Sequence, residues 1–279
     1  LHNKANKRIR IIKIHKGGHV MVKFIENPFL PDNKVKTVVV DRRMPVSIQN
    51  KIRAEGINII KTPYCKELYE AISSHPDILM HHIGGNEIVV APNIYEKFKN
   101  KLKMLNLNVI LGNTVLESTY PGNIAYNVGR IGKFAIHNFK YTDKRVLQKL
   151  ECKNLKLINV KQGYSKCSIC AVNEKAAITS DKGIAKALEA HGVDTLLIRP
   201  GYIDLPGLNY GFIGGTAGLI EQKKLFFCGN IKKHPDFKII KNFLQKYWVD
   251  IEYVQNIDLI DLGSIIPLIE TTPVNKNNI

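Results

Sequence analysis

A fifteen-residue frame recurs along this chain, and it limits the fold more than any other feature. Residues 79–93 read LMHHIGGNEIVVAPN, 124–138 IAYNVGRIGKFAIHN, 167–181 CSICAVNEKAAITSD and 216–230 TAGLIEQKKLFFCGN. Each copy is two short apolar runs around a turn. It ends on Asp or Asn, a residue type suited to capping a helix. A helix-like stretch and a further apolar run follow each copy. Such a period marks stacked supersecondary units, none of which buries its apolar face alone.

The spacing predicts strand–strand–helix–strand units over 77–111, 124–160, 167–198 and 216–254. A fifth unit, 37–62, has its later strand and helix but no first strand before them. The run SIIPLIE at 264–270 can supply it from the other end of the chain. The expected architecture is therefore α/β, a five-bladed α/β propeller of ββαβ repeats with pseudo-fivefold symmetry. Closure by the two chain ends would remove exposed sheet edges. In each blade, the first strand would line a central channel, with residues 79, 124, 167, 216 and 264 at its start.

Composition sets the outer bounds. The chain has 279 residues, 44% of them hydrophobic, and no run long enough to span a membrane. Its five cysteines form no regular framework, which fits a reducing cytoplasm. The formal charge is +17. Lysines are scattered among Ile and Asn, a pattern of a solvated surface, while a basic face for nucleic acid stays open. Six of these charges fall in residues 1–20, which hold no acids. Residues 16–18 (Lys-Gly-Gly) can be encoded by a purine run resembling a ribosome-binding site shortly before Met21. The expected organisation is thus a non-native or disordered basic extension at 1–20, one domain at 21–270, and a polar tail at 271–279.

The segments TVVVDRR, HPDILMHH, YPGNIAYN, AITSDKGIAKAL and GFIGGTAGLIE carry a resemblance to the pentein fold of guanidino-group-modifying enzymes, and to an uncharacterised clostridial-type bacterial domain family of that fold. The resemblance implies a cysteine nucleophile on the C-terminal strand, a late-blade His beside an acid, and carboxylates that grip a guanidinium. Residues 262–268 read LGSIIPL and 214–219 read GGTAGL, so neither the cysteine nor the His-acid pair is present. The resemblance then implies a small cationic or amino-acid-like ligand in the channel with an incomplete catalytic set. If there is turnover, it would be hydrolase or transferase chemistry on a guanidino or amidino C–N bond. A non-enzymatic RNA or ribosome binder is the other reading.

The candidate ligand-binding residues are Asp204, Asn209, Tyr210, Tyr120, Asn123 and Asp261, in loops leading into the first strands, together with His82. The candidate nucleophiles are Cys167, with Lys166 or His82 as its activating neighbour, and Ser264, for which the sequence offers no adjacent base. A strand would point Cys167 and Cys170 to opposite faces, so the lone C-x-x-C is not read as a metal site. No cofactor motif and no metal motif is present.

Overall fold

The computed structural model describes residues 10–12 and 20–272. The extension expected at 1–20 lies outside the described residues except for β1 (Arg10–Ile12), whose backbone pairs antiparallel with β2 (Val20–Phe24). Most of the polar tail, 273–279, also lies outside them.

The chain is a mixed α/β fold of five small sheets. The first unit holds β3 (Val35–Val40), α1 (Val46–Ala54) and β4 (Asn58–Lys61), with β3 and β4 parallel. The second runs through α2 (Pro76–Leu79), β5 (Met80–Gly84), β6 (Glu87–Val90), α3 (Pro92–Lys103) and β7 (Asn108–Leu111). The third holds β8 (Gly129–Ile131), β9 (Phe134–His137), α4 (Lys144–Cys152) and β10 (Lys156–Asn159). The fourth holds α5 (Ser165–Ser168), β11 (Ile169–Asn173), β12 (Ala176–Thr179), α6 (Lys182–Glu189) and β13 (Asp194–Leu197). The fifth holds β14 (Ala217–Glu221), β15 (Lys224–Phe227), α7 (Phe237–Lys246) and β16 (Asp250–Tyr253). The last strand, β17 (Ile266–Thr271), lies between β2 and β3, so both chain ends meet in one sheet.

In units two to five an antiparallel hairpin is followed by a helix and a parallel third strand. A parallel partner requires a crossover, and the helix supplies it. Each helix buries one stripe against its sheet: Ile48 and Ile52 of α1, Ile94, Phe98 and Leu102 of α3, Ile184 and Leu188 of α6, and Ile240 and Leu244 of α7. Gly84 shows why one turn needs glycine. Its φ is +108°, and a Cβ there would run into the Glu26 carbonyl.

Three expectations change. The frames do not begin in strands. Leu79 and Cys167 end or sit in the short helices α2 and α5, Thr216 closes a 3₁₀ turn, and Ser264 follows the bend at Gly263, before β17. In units two, four and five the first strand of the hairpin starts directly after such a turn, at Met80, Ile169 and Ala217. The strand expected from 124 is also short, since β8 starts only at Gly129. Capping is mixed. Asp181 caps α6, accepting from the Ile184 N–H at 2.8 Å. Asn93 instead lies inside α3 and ties its side chain to the Leu116 backbone, while α4 is capped by Asp143 in place of Asn138.

Candidate functional site

The turns before β5, β8, β11 and β17 bring one polar cluster together in the interior. His75 and Asp77 come from the start of α2, and Lys166 and Cys167 from α5. Asn127 lies before β8, and Asp261 and Ser264 before β17. All seven are buried. Apolar strand residues on either side fix the turns, leaving the polar side chains to satisfy one another.

Ser264 is the hub. Its hydroxyl lies 2.6 Å from Asp77 Oδ2 and 2.8 Å from the Gly214 carbonyl, both acceptors, and it accepts from the Lys166 ammonium at 2.8 Å. The Lys166 ammonium also reaches the Gly214 carbonyl at 3.3 Å and lies 4.8 Å from the centre of the Phe29 ring. Ser264 holds φ at +75°, a left-handed conformation that costs a non-glycine residue about 1–2 kcal/mol. Gly214 is required beside it, because a Cβ there would collide with the Ile169 and Lys166 carbonyls.

The Cys167 thiol donates to Asp77 Oδ2 at 3.2 Å and accepts from Asn127 Nδ2 at 3.1 Å. Burial first, then the charges of Asp77 and Asp261, hold this thiol well above the ordinary cysteine range. Cys167 is therefore a thiol, not an activated thiolate. Asp261 accepts from the backbone N–H groups of Phe212 at 2.8 Å and Gly263 at 3.0 Å, and burial raises its pKa above the usual carboxylate value. His75 Nε2 lies 3.8 Å from Asp41 Oδ2, and Asp41 is itself paired with Arg43 at 2.6 Å.

A group of aromatic side chains adjoins the cluster through Phe212 and Tyr164. Phe212 donates its own backbone N–H to Asp261, and Tyr164 immediately precedes α5. Tyr164 lies against Phe212 and Tyr120, with centroids 6.2 and 5.9 Å apart, and Tyr210 meets Phe212 edge-on at 6.4 Å. Tyr164 donates its hydroxyl to Asn123 Oδ1 at 2.9 Å, and its oxygen is 3.3 Å from that of Tyr69.

The residues singled out in the sequence separate accordingly. Cys167, Ser264 and Asp261 lie in the cluster, while Tyr120 and Asn123 contact Tyr164, and Tyr210 contacts Phe212, in the adjoining aromatic group. Asp204 and Asn209 are exposed on the surrounding loop, with Asp204 bridging Ile260 through its backbone. His82 is elsewhere: it bonds the Gly85 carbonyl at 3.0 Å beside the hairpin turn, and burial pushes its pKa down to about 4. It is not the activating neighbour of Cys167. Ser264 does have an adjacent amine, contrary to the sequence expectation, because Lys166 reaches it across 98 positions of sequence. Asn127 was not legible as a site residue. Its only sequence signal is an amide within an otherwise apolar run, 124–128.

Comparison with known proteins agrees with this fold. A dimethylarginine dimethylaminohydrolase from Pseudomonas aeruginosa superposes with a TM-score of 0.53 at 9% identity, over 80% of this chain and 92% of that one. The inosamine-phosphate amidinotransferase of Streptomyces griseus gives 0.53 at 9% identity, over 88% and 94%. The agmatine deiminase of C. jejuni gives 0.52 at 11% identity, over 88% and 96%. These likenesses establish a fold related to the pentein enzymes. No curated protein matches the sequence. Among the described residues no helix is long and apolar enough to cross a membrane. Residues 39–266 match a family of unknown function, DUF6873, and the chain belongs to that family.

Proposed function

We propose that the five sheets are blades around a common axis, and that the cluster on this axis binds a small cationic or amino-acid-like ligand of the guanidino type. One observation carries the reading: the buried Asp261 carboxylate is bonded by the backbone N–H groups of Phe212 and Gly263 and has no cation in contact among the described residues. A buried charge is costly unless it is paired, so this core favours one further positive charge. Rings such as Tyr164 and Phe212 suit a guanidinium passing over their faces. The related folds fit this reading: a cysteine-to-serine variant of the Pseudomonas enzyme was captured with citrulline, and a cysteine-to-serine variant of the C. jejuni deiminase with its substrate. A serine, Ser264, lies in the C-terminal region where the resemblance implies the nucleophile. The five unpaired cysteines suit a cytoplasmic protein.

The test is a thermal-shift and calorimetric titration with arginine, agmatine, citrulline and RNA. A guanidino compound at 100 times its Kd is expected to add about 2.7 kcal/mol of stability. Asp261→Asn is expected to abolish the effect. Absence of any small-molecule shift, together with salt-sensitive RNA binding, would replace this reading with the nucleic-acid one.

A hydrolytic reading has its own observation, the 2.8 Å contact between Ser264 Oγ and Lys166 Nζ. In this reading the Ser264 oxygen attacks an amidino carbon while Lys166 takes the hydroxyl proton and passes it to the leaving nitrogen; the C–N bond breaks to release ammonia, and water then cleaves the Ser264–carbon bond. Release of ammonia from agmatine, lost in Ser264→Ala, would establish it; binding without release would leave the protein a binder.

A further inference from the structure

We infer that His75, Asp77 and Cys167 form a binding site for a zinc-class divalent metal ion. One donor atom from each lies within 4.8 Å of the others. The three are buried, with 1%, 2% and 3% of their surfaces exposed. Two of them also hold polar atoms with nothing to bond. Both ring nitrogens of His75 and the Oδ1 of Asp77 are buried without a hydrogen-bond partner. Buried polar atoms are nearly always satisfied, so unpaired donors and acceptors converging on one point indicate a missing ligand. An imidazole nitrogen, a carboxylate oxygen and a thiol are the donors that zinc takes.

The surroundings are built as a second layer. Ser264 holds the other oxygen of Asp77 at 2.6 Å, which leaves Oδ1 available. The amide of Asn127 donates to the Cys167 sulfur at 3.1 Å and to the Asp77 carbonyl at 3.0 Å, which orients both. Asp41 Oδ2 lies 3.8 Å from His75 Nε2, too far for a hydrogen bond as it stands. A small approach on metal binding at Nδ1 would complete the carboxylate–histidine arrangement that fixes a metal-binding imidazole. Tetrahedral zinc holds such donors about 3.3–3.8 Å apart, so a pair at the 4.8 Å limit would close by roughly 1 Å on binding. Binding displaces the thiol proton to solvent: Cys–SH and M²⁺ give Cys–S–M⁺ and H⁺. The fourth position remains for water or a ligand atom.

This site goes beyond the small-ligand reading and does not depend on it. The test is cobalt(II) titration of chelator-treated protein in a Cys152→Ser background, which removes the exposed thiol, with the ion added both to folded protein and during refolding. One equivalent is expected to bind, with a thiolate-to-cobalt charge-transfer band in the near ultraviolet. Cys167→Ala is expected to lose that band, and His75→Gln to weaken binding at least tenfold. X-ray absorption of zinc-loaded parent protein should show one sulfur at about 2.3 Å, independent of how the variants fold. No stoichiometric uptake, a band that survives Cys167→Ala, or a zinc shell without sulfur would overturn the site. Phe212→Ala is expected to leave cobalt binding intact while weakening the organic ligand, so the two readings fail separately.

Discussion

At the scale of single residues, the interior holds charges in two ways. In the polar cluster Lys166 meets a hydroxyl and a carbonyl, with Asp77 bonded to the same serine. Arg130 is different. It is 3% exposed and has no carboxylate partner among the described residues; its one hydrogen bond, to the Ile83 carbonyl, is 3.5 Å long. Burial alone lowers its pKa to about 10, and its charge helps to hold His81 well below the ordinary histidine range. A buried charge without compensation costs more than its packing returns. Arg130→Met, similar in length and apolar, is expected to stabilise the protein by about 1–3 kcal/mol. Urea denaturation checks it, and a loss of stability would mean that Arg130 holds an anion this account omits.

At the scale of elements, Asp143 joins two segments. Its Oδ1 caps α4 by accepting from the N–H groups of Arg145 and Val146, at 2.9 and 3.1 Å. Its Oδ2 accepts from Asn113 and Thr114, at 2.7 and 2.6 Å, and so fixes the loop after β7. Four backbone donors then depend on one carboxylate, and the residue is fully buried. Asp143→Ala is expected to cost about 3 kcal/mol, more than an ordinary cap at about 1 kcal/mol. A cost near 1 kcal/mol in equilibrium unfolding would show that the loop finds other acceptors.

At the scale of the molecule, buried histidines tie stability to pH. Burial pushes both His82 and His137 down to about 4 from an ordinary 6.5. The folded state therefore binds fewer protons than the unfolded state between those values. Their contribution is complete above pH 6.5 and is lost as pH falls towards 4, by about 3 kcal/mol for each. Equilibrium unfolding from pH 7 to pH 4 should show this decline, with a shallower slope in His137→Gln. Equal slopes would remove His137 from the account.

Local sequence set the long helices and the later strands of each unit, but not the short helices α2 and α5 or the late start of β8. Helix stripes such as Ile240 and Leu244 and turns such as Gly84-Gly85 are local, set by 3.6-residue periodicity and by φ values only glycine adopts freely. The internal frame also located Cys167 and Ser264 at matching positions, and the C-terminal run was legible as the strand beside β3. What the tertiary structure decided was the company each residue keeps. Lys166 meets Ser264, Cys167 meets Asp77 and Asn127, and His75 meets Asp41, across separations that no local pattern encodes. The same packing put Cys167 on a helical turn and sent His82 to a hairpin end. Hydrogen bonding and burial act through space, so a single sequence shows which groups exist but not which of them are left buried without a partner.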